Sequence, residues 1–109
     1  MSPILPSPVE LYFAAENTGD PASLDACFCE DASVLDEGRT HAGLAAIKRW
    51  KAETKGKYGH TVHPLRSEDR NGMVVVESRV SGNFPGSPVT LEFSFILSGG
   101  KIASLEIRG

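Results

Sequence analysis

The chain has 109 residues, 40% of them hydrophobic and 23% charged, with a formal net charge of -3. That balance describes one folded domain over residues 1–109, large enough to hold a single core without staples, and excludes a disordered chain. Fourteen acidic residues against eleven basic ones give no pull toward nucleic acid or an anionic membrane. The opening MSPILPSP has neither a basic region nor a long apolar one, and no later run approaches the ~20 apolar residues of a membrane span. A cytoplasmic location is therefore expected, with no membrane and no nucleic acid as partner.

Ser7, Pro8 and Glu10 write a helix start, with Ser7 as N-cap, Pro8 in the first turn and Glu10 placed to reach back to the cap. The first helix should run from Pro8 to Thr18 and stop at Gly19. Asp20 and Pro21 repeat the start signal for a short helix, PASLDACF, in which Leu24, Cys27 and Phe28 share a face. Cys27 and Cys29 are too close for an easy disulfide and too few for a structural zinc, and read as small buried thiols.

After Asp31, SVLDEGRTHAG reads as two short strands about a turn at Glu37 and Gly38. A third helix, LAAIKRWKAETKGK, follows. Leu44, Ile47 and Trp50 form its apolar stripe, and Lys48, Arg49, Lys51, Lys55 and Lys57 fall mostly elsewhere, as a solvated face.

Three turn signals, Asn71-Gly72, Pro85-Gly86 and Gly99-Gly100, divide the remainder into four long antiparallel strands. Val76, Ser78 and Val80 alternate with Glu77, Arg79 and Ser81; Val89, Leu91, Phe93, Phe95 and Leu97 alternate with Thr90, Glu92, Ser94 and Ile96. One face of this sheet is apolar and the other mixed. Helices first and strands last make an α+β domain, a cone-shaped half-barrel in which three N-terminal helices pack on a curved, mainly antiparallel sheet. A cone of this kind is a place for a small ligand, lined by apolar side chains and a few polar groups.

The order of these elements, with VELYFAAENTGD in helix one, CFCEDASVLDEGR entering the first strand, HAGLAAIKRW in helix three and GKIASLEI closing the sheet, resembles the nuclear transport factor 2-like superfamily. Within it the SnoaL-like polyketide cyclase and ketosteroid isomerase branch is most similar. The resemblance covers nearly the whole chain. It implies a pocket without a cofactor, and pairing of two copies through the sheet. It also implies roles for two residues. Asp36 falls where the isomerases carry their proton-shuttling aspartate, and Tyr12 where they carry the tyrosine that donates to the developing oxyanion. Their third group, a protonated aspartic acid, has no counterpart, because the inward position that matches it is Phe93. Steroid isomerisation is thus not the expected chemistry.

Read from the residues alone, Asp36 is either a turn aspartate accepting backbone amides or a partly desolvated carboxylate able to act as a base. Tyr12 is either a core aromatic or a donor to a ligand. Trp50, Val76, Phe93 and Phe95 are expected to form the core or the pocket wall, and His63 to polarise a ligand or pair with Asp36 if its face turns inward. His60 and His63 lie three apart on an extended segment and point to opposite faces, so they do not chelate a metal together.

Two functions follow as expectations. One is a protein that binds a small apolar molecule and moves a proton on it, with Asp36 as acid/base and Tyr12 as donor, as an isomerase, cyclase or hydrolase. The other is a non-catalytic ligand-binding or dimerisation module of the same fold. A homodimer is expected in either case.

Overall fold

A computed structural model describes residues 4–18 and 23–109. The elements run α1 (Ser7–Thr18), α2 (Leu24–Cys27), β1 (Phe28–Asp36), β2 (Arg39–Ala42), α3 (Leu44–Tyr58), β3 (Thr61–Arg70), β4 (Met73–Ser81), β5 (Val89–Ser98) and β6 (Lys101–Arg108). The six strands form one open sheet in the order β2-β1-β6-β5-β4-β3. Every neighbouring pair is antiparallel except β1 and β6, which run parallel because the chain returns to β1 only after α3 and the β3–β6 meander. This is the α+β fold with three helices on a mostly antiparallel sheet that the pattern of elements predicts.

Helix α1 begins where the Glu10 amide donates to the Pro6 carbonyl at 3.0 Å, one residue earlier than the Ser7 cap implies. The expected stop at Gly19 and the Asp20-Pro21 start lie outside the described residues. Helix α2 is shorter than PASLDACF suggests. Phe28 leaves it for an extended conformation and pairs with Ile102 of β6. A register shift between Phe28 and Ser33 then interrupts the alternation, so β1 begins three residues before Asp31.

The core lies between α1 and the inner face of the sheet. Tyr12 and Phe13 from α1 meet Phe93 and Phe95 from β5, in mostly edge-to-face contacts with ring centroids 5.4–6.3 Å apart. Asn17 ties α1 to the start of β3 by imitating a peptide group. Its side-chain oxygen accepts from the Val62 amide at 2.8 Å and its side-chain nitrogen donates to the Val62 carbonyl at 3.1 Å. Helix α3 ends at Gly59, whose φ of 54° closes the last turn with its amide on the Lys55 carbonyl. Lys55 also donates from Nζ to the His60 carbonyl. His60 is thereby held between two elements.

The outer sheet face carries a charge lattice in which Arg70 and Arg108 both approach Glu92, at 3.8 and 3.5 Å. Ile96 on that face is 45% exposed. No helix among the described residues is long and apolar enough to cross a membrane.

Candidate functional site

Strand alternation places Ala32, Val34 and Asp36 on the inner face of β1, and the first two are fully buried. Asp36 is the last residue before a tight reversal, at the point where the interior opens. Glu37 and Gly38 both take positive φ, 53° and 74°, which is the backbone of a two-residue hairpin turn. Across from it, α3 presents Trp50, whose indole Nε1–H donates to Asp36 Oδ2 at 3.0 Å. His41 of β2 lies against the same indole, with ring centroids 5.6 Å apart.

Asp36 borders a cavity of about 470 Å³ whose wall includes the apolar side chains of Val62, Val80, Leu91, Phe93 and Ile107. That volume suits a small organic molecule. The apolar wall also sets the chemistry of the acid. Burial raises the Asp36 carboxyl above the ordinary carboxylate value, against the opposing pull of the Trp50 hydrogen bond. Glu37 raises it further, and the His41 and His60 side chains draw it down.

A second polar group lies deeper. Glu16, one turn after Tyr12 on α1, is 2% exposed and borders the same cavity. Its Oε1 accepts the Tyr12 hydroxyl at 2.9 Å and ion-pairs with Lys51 Nζ, and its Oε2 lies 2.9 Å from His60 Nε2. Lys51 and His60 are themselves 3% and 7% exposed. Burial pushes the Lys51 amine well below its ordinary value, with Lys55 adding to the effect. Burial, followed by the charges of Lys51 and Lys55, holds the His60 imidazole down to about 4. A neutral His60 then donates its Nε2–H to Glu16.

The expected site residues divide. Asp36, Trp50 and Phe93 border the cavity. Tyr12 sits one layer below it, fully buried, with its hydroxyl bonded to Glu16, so its hydroxyl is not offered to Asp36 or to a ligand in this arrangement. Val76 and Phe95 are fully buried core residues that do not border the cavity, because they lie farther along their strands, Phe95 beneath the Tyr12 ring. His63 is exposed, opposite Arg79. Val62 takes the inward position at the start of β3, which turns His63 outward. His60, which precedes the strand, supplies the cavity's histidine instead.

Sequence reasoning missed Glu16, Lys51 and His60. Two signals were present. Glu16 is four residues from Tyr12, and Lys51 is four from Ile47 and seven from Leu44, which puts it on the buried stripe of α3.

Comparison with known proteins agrees with this architecture. The sequence profile of the SnoaL-like domain matches residues 9–105. The chain belongs to the SnoaL-like domain family. A candidate polyketide cyclase from Sinorhizobium meliloti is 43% identical to this SnoaL-like chain, with a TM-score of 0.91 over 95% of each chain. A protein with a ketosteroid isomerase-like fold from Catenulispora acidiphila, solved in complex with trimethylamine, is 23% identical, with a TM-score of 0.84 over 97% of this chain and 87% of its own. Bal32a, from a soil-derived mobile gene cassette, is 23% identical with a TM-score of 0.81, covering 93% of this chain and 85% of its own. These last two are likenesses of fold. Among curated proteins none matches the SnoaL-like chain.

Proposed function

We propose that this SnoaL-like chain takes a small, mainly apolar carbonyl compound into the cavity and moves a proton on it, with Asp36 as the acid/base. The observation that carries this reading is the Asp36 carboxyl. It borders a cavity with a mainly apolar wall, is oriented by Trp50, and is more basic than a solvated aspartate. A proton taken from carbon next to a carbonyl serves isomerisation or aldol-type ring closure, and one taken from water serves hydrolysis. The relationship to the candidate polyketide cyclase favours the ring-closing class.

Phenylacetone in heavy water provides a test that needs no knowledge of the natural substrate. The protein should speed deuterium uptake at the carbon beside the carbonyl, followed by NMR, and Asp36→Asn should slow that uptake by roughly 10²–10⁴-fold. Asn keeps an oxygen for the Trp50 N–H, so the melting temperature should hold. Exchange that survives the substitution would exclude Asp36 as the base.

A second reading, a ligand-binding protein without turnover, is favoured by the Tyr12 hydroxyl being engaged by Glu16 rather than facing Asp36. Binding of phenylacetone with no exchange in the wild type would select it. In either reading we place a second copy of the chain on the outer sheet face, where the charges around Glu92 adjoin the exposed Ile96. Light scattering at micromolar concentration should return twice the 11.7 kDa monomer mass, and the monomer mass would rule the pairing out.

A further inference from the structure

Lys51 is a buried nucleophile that the proton-transfer reading leaves unused. It follows Trp50 on α3, on the buried stripe of that helix, and is one of the residues that border the cavity. There Nζ lies 4.0 Å from the Trp50 ring centroid and 5.5 Å from the Tyr12 ring centroid. The side chain is 4% exposed and paired with Glu16. A lysine in such surroundings differs in kind from Lys48, which pairs with Asp25 at the surface. Burial disfavours the ammonium, against the opposing pull of the Trp50 ring face and the Glu16 carboxylate, and a neutral amine is the form that attacks a carbonyl carbon.

We propose that Lys51 is a carbonyl-condensing residue, forming an imine through Nζ with an apolar aldehyde or ketone in the cavity while Glu16 carries the protons. The proposal rests on the reading that the cavity binds a carbonyl compound.

The proton count closes within the pair. Lys51 gives its ammonium proton to Glu16 and attacks the carbonyl carbon, forming a C–N bond as the C=O π electrons move to oxygen. Glu16 protonates that oxygen and takes back one proton from the nitrogen, leaving a neutral carbinolamine. It then protonates the hydroxyl, which departs as water. The product is a protonated imine beside the Glu16 carboxylate. That is one cation against one anion, the same charge the buried pair began with, so condensation leaves no unbalanced charge at the floor. Tyr12 and His60 hold Glu16 in place throughout. Asp36, on the edge of the same indole whose face Lys51 covers, is the base available to the C–H that the iminium acidifies.

Reductive trapping tests the assignment. The purified protein is incubated at pH 7 with hydrocinnamaldehyde and sodium cyanoborohydride, and the adduct is located by peptide mass mapping. Lys51 should carry on the order of tenfold more adduct than any other lysine, since each pH unit of lowered proton affinity gives tenfold more free amine. Lys51→Arg, which keeps a cation against Glu16, should remain folded by circular dichroism and lose the dominant adduct. Lys51→Met provides the same control without the charge. Asp36→Asn should still be trapped at Lys51, which separates condensation from proton transfer.

Hydrocinnamyl alcohol, which cannot condense, separates the proposal from its premise. Quenching of the single tryptophan by the alcohol, with Lys51 unlabelled by the aldehyde, would overturn the condensing role and leave the cavity reading standing. No quenching and no adduct would overturn both. Equal labelling of wild type and Lys51→Arg would also overturn the proposal.

Discussion

Glu16 and Asp36 border one cavity, yet Glu16 is 2% exposed and is met by Tyr12, His60 and Lys51, whereas Asp36 is half-buried and receives the Trp50 indole N–H. The difference shows how surroundings divide labour between like groups. A carboxylate whose oxygens already hold three partners is fixed in place, and its removal strands those partners. A carboxylate with one oriented donor and an apolar wall is held in position but left short of solvation, and so can exchange a proton with a ligand without giving up a buried ion pair.

Substitution at the two positions should separate these roles most sharply. Glu16→Ala leaves Lys51 buried without its counter-charge and should cost about 3–5 kcal/mol of stability by urea unfolding at pH 7. Asp36→Asn should change stability by less than about 1 kcal/mol, or raise it slightly, because it removes a carboxylate that burial disfavours. A loss of under about 1 kcal/mol for Glu16→Ala would break the comparison by showing that Lys51 sheds its proton, reaches water or finds another partner.

The same contrast explains what the sequence made legible. The four long strands and the inward turn of Phe93 follow from strict alternation and glycine turns, which are local signals. Asp36 was visible for a similar reason, as an acid two residues past the apolar Val34 and just before a hairpin. The floor of the cavity was only faintly marked, because Glu16, Lys51 and His60 come from α1, α3 and the segment before β3, and each reads as an ordinary surface residue by type. Their burial depends on the Glu16–Lys51 ion pair and the His60 hydrogen bond, which form only where α1, α3 and the start of β3 meet. His63 shows the same limit in reverse. Its strand begins with only Val62 and Leu65 to mark a face, so the register that turns it outward is set by the Asn17 bonds to Val62 and not by the pattern.

Acid stability should sharpen the comparison by a smaller effect. His60 meets Lys51 and Lys55 from α3, Glu16 from α1 and Asp36 from β1, and the Glu16 carboxylate is already paired with Lys51. The imidazole therefore stays neutral in the folded protein down to about 4, whereas in the unfolded chain it takes its proton near 6.5. Between those values the unfolded state binds more protons, so stability falls as the pH falls, and the loss is complete below about 4. At about 1.4 kcal/mol per pH unit the interval amounts to at most roughly 3.5 kcal/mol. Asp36 works in the opposite sense. Its raised affinity means that the folded state takes a proton first as the pH drops toward 3.8, which returns part of the loss at the acid end. Urea unfolding of wild type and His60→Gln at pH 7 and pH 4.5 isolates the histidine, since Gln can still donate to Glu16 but does not titrate. The wild type should lose more stability than the variant across that interval. Equal losses would mean that His60 is charged when folded, and Glu16 would then be the partner of two cations.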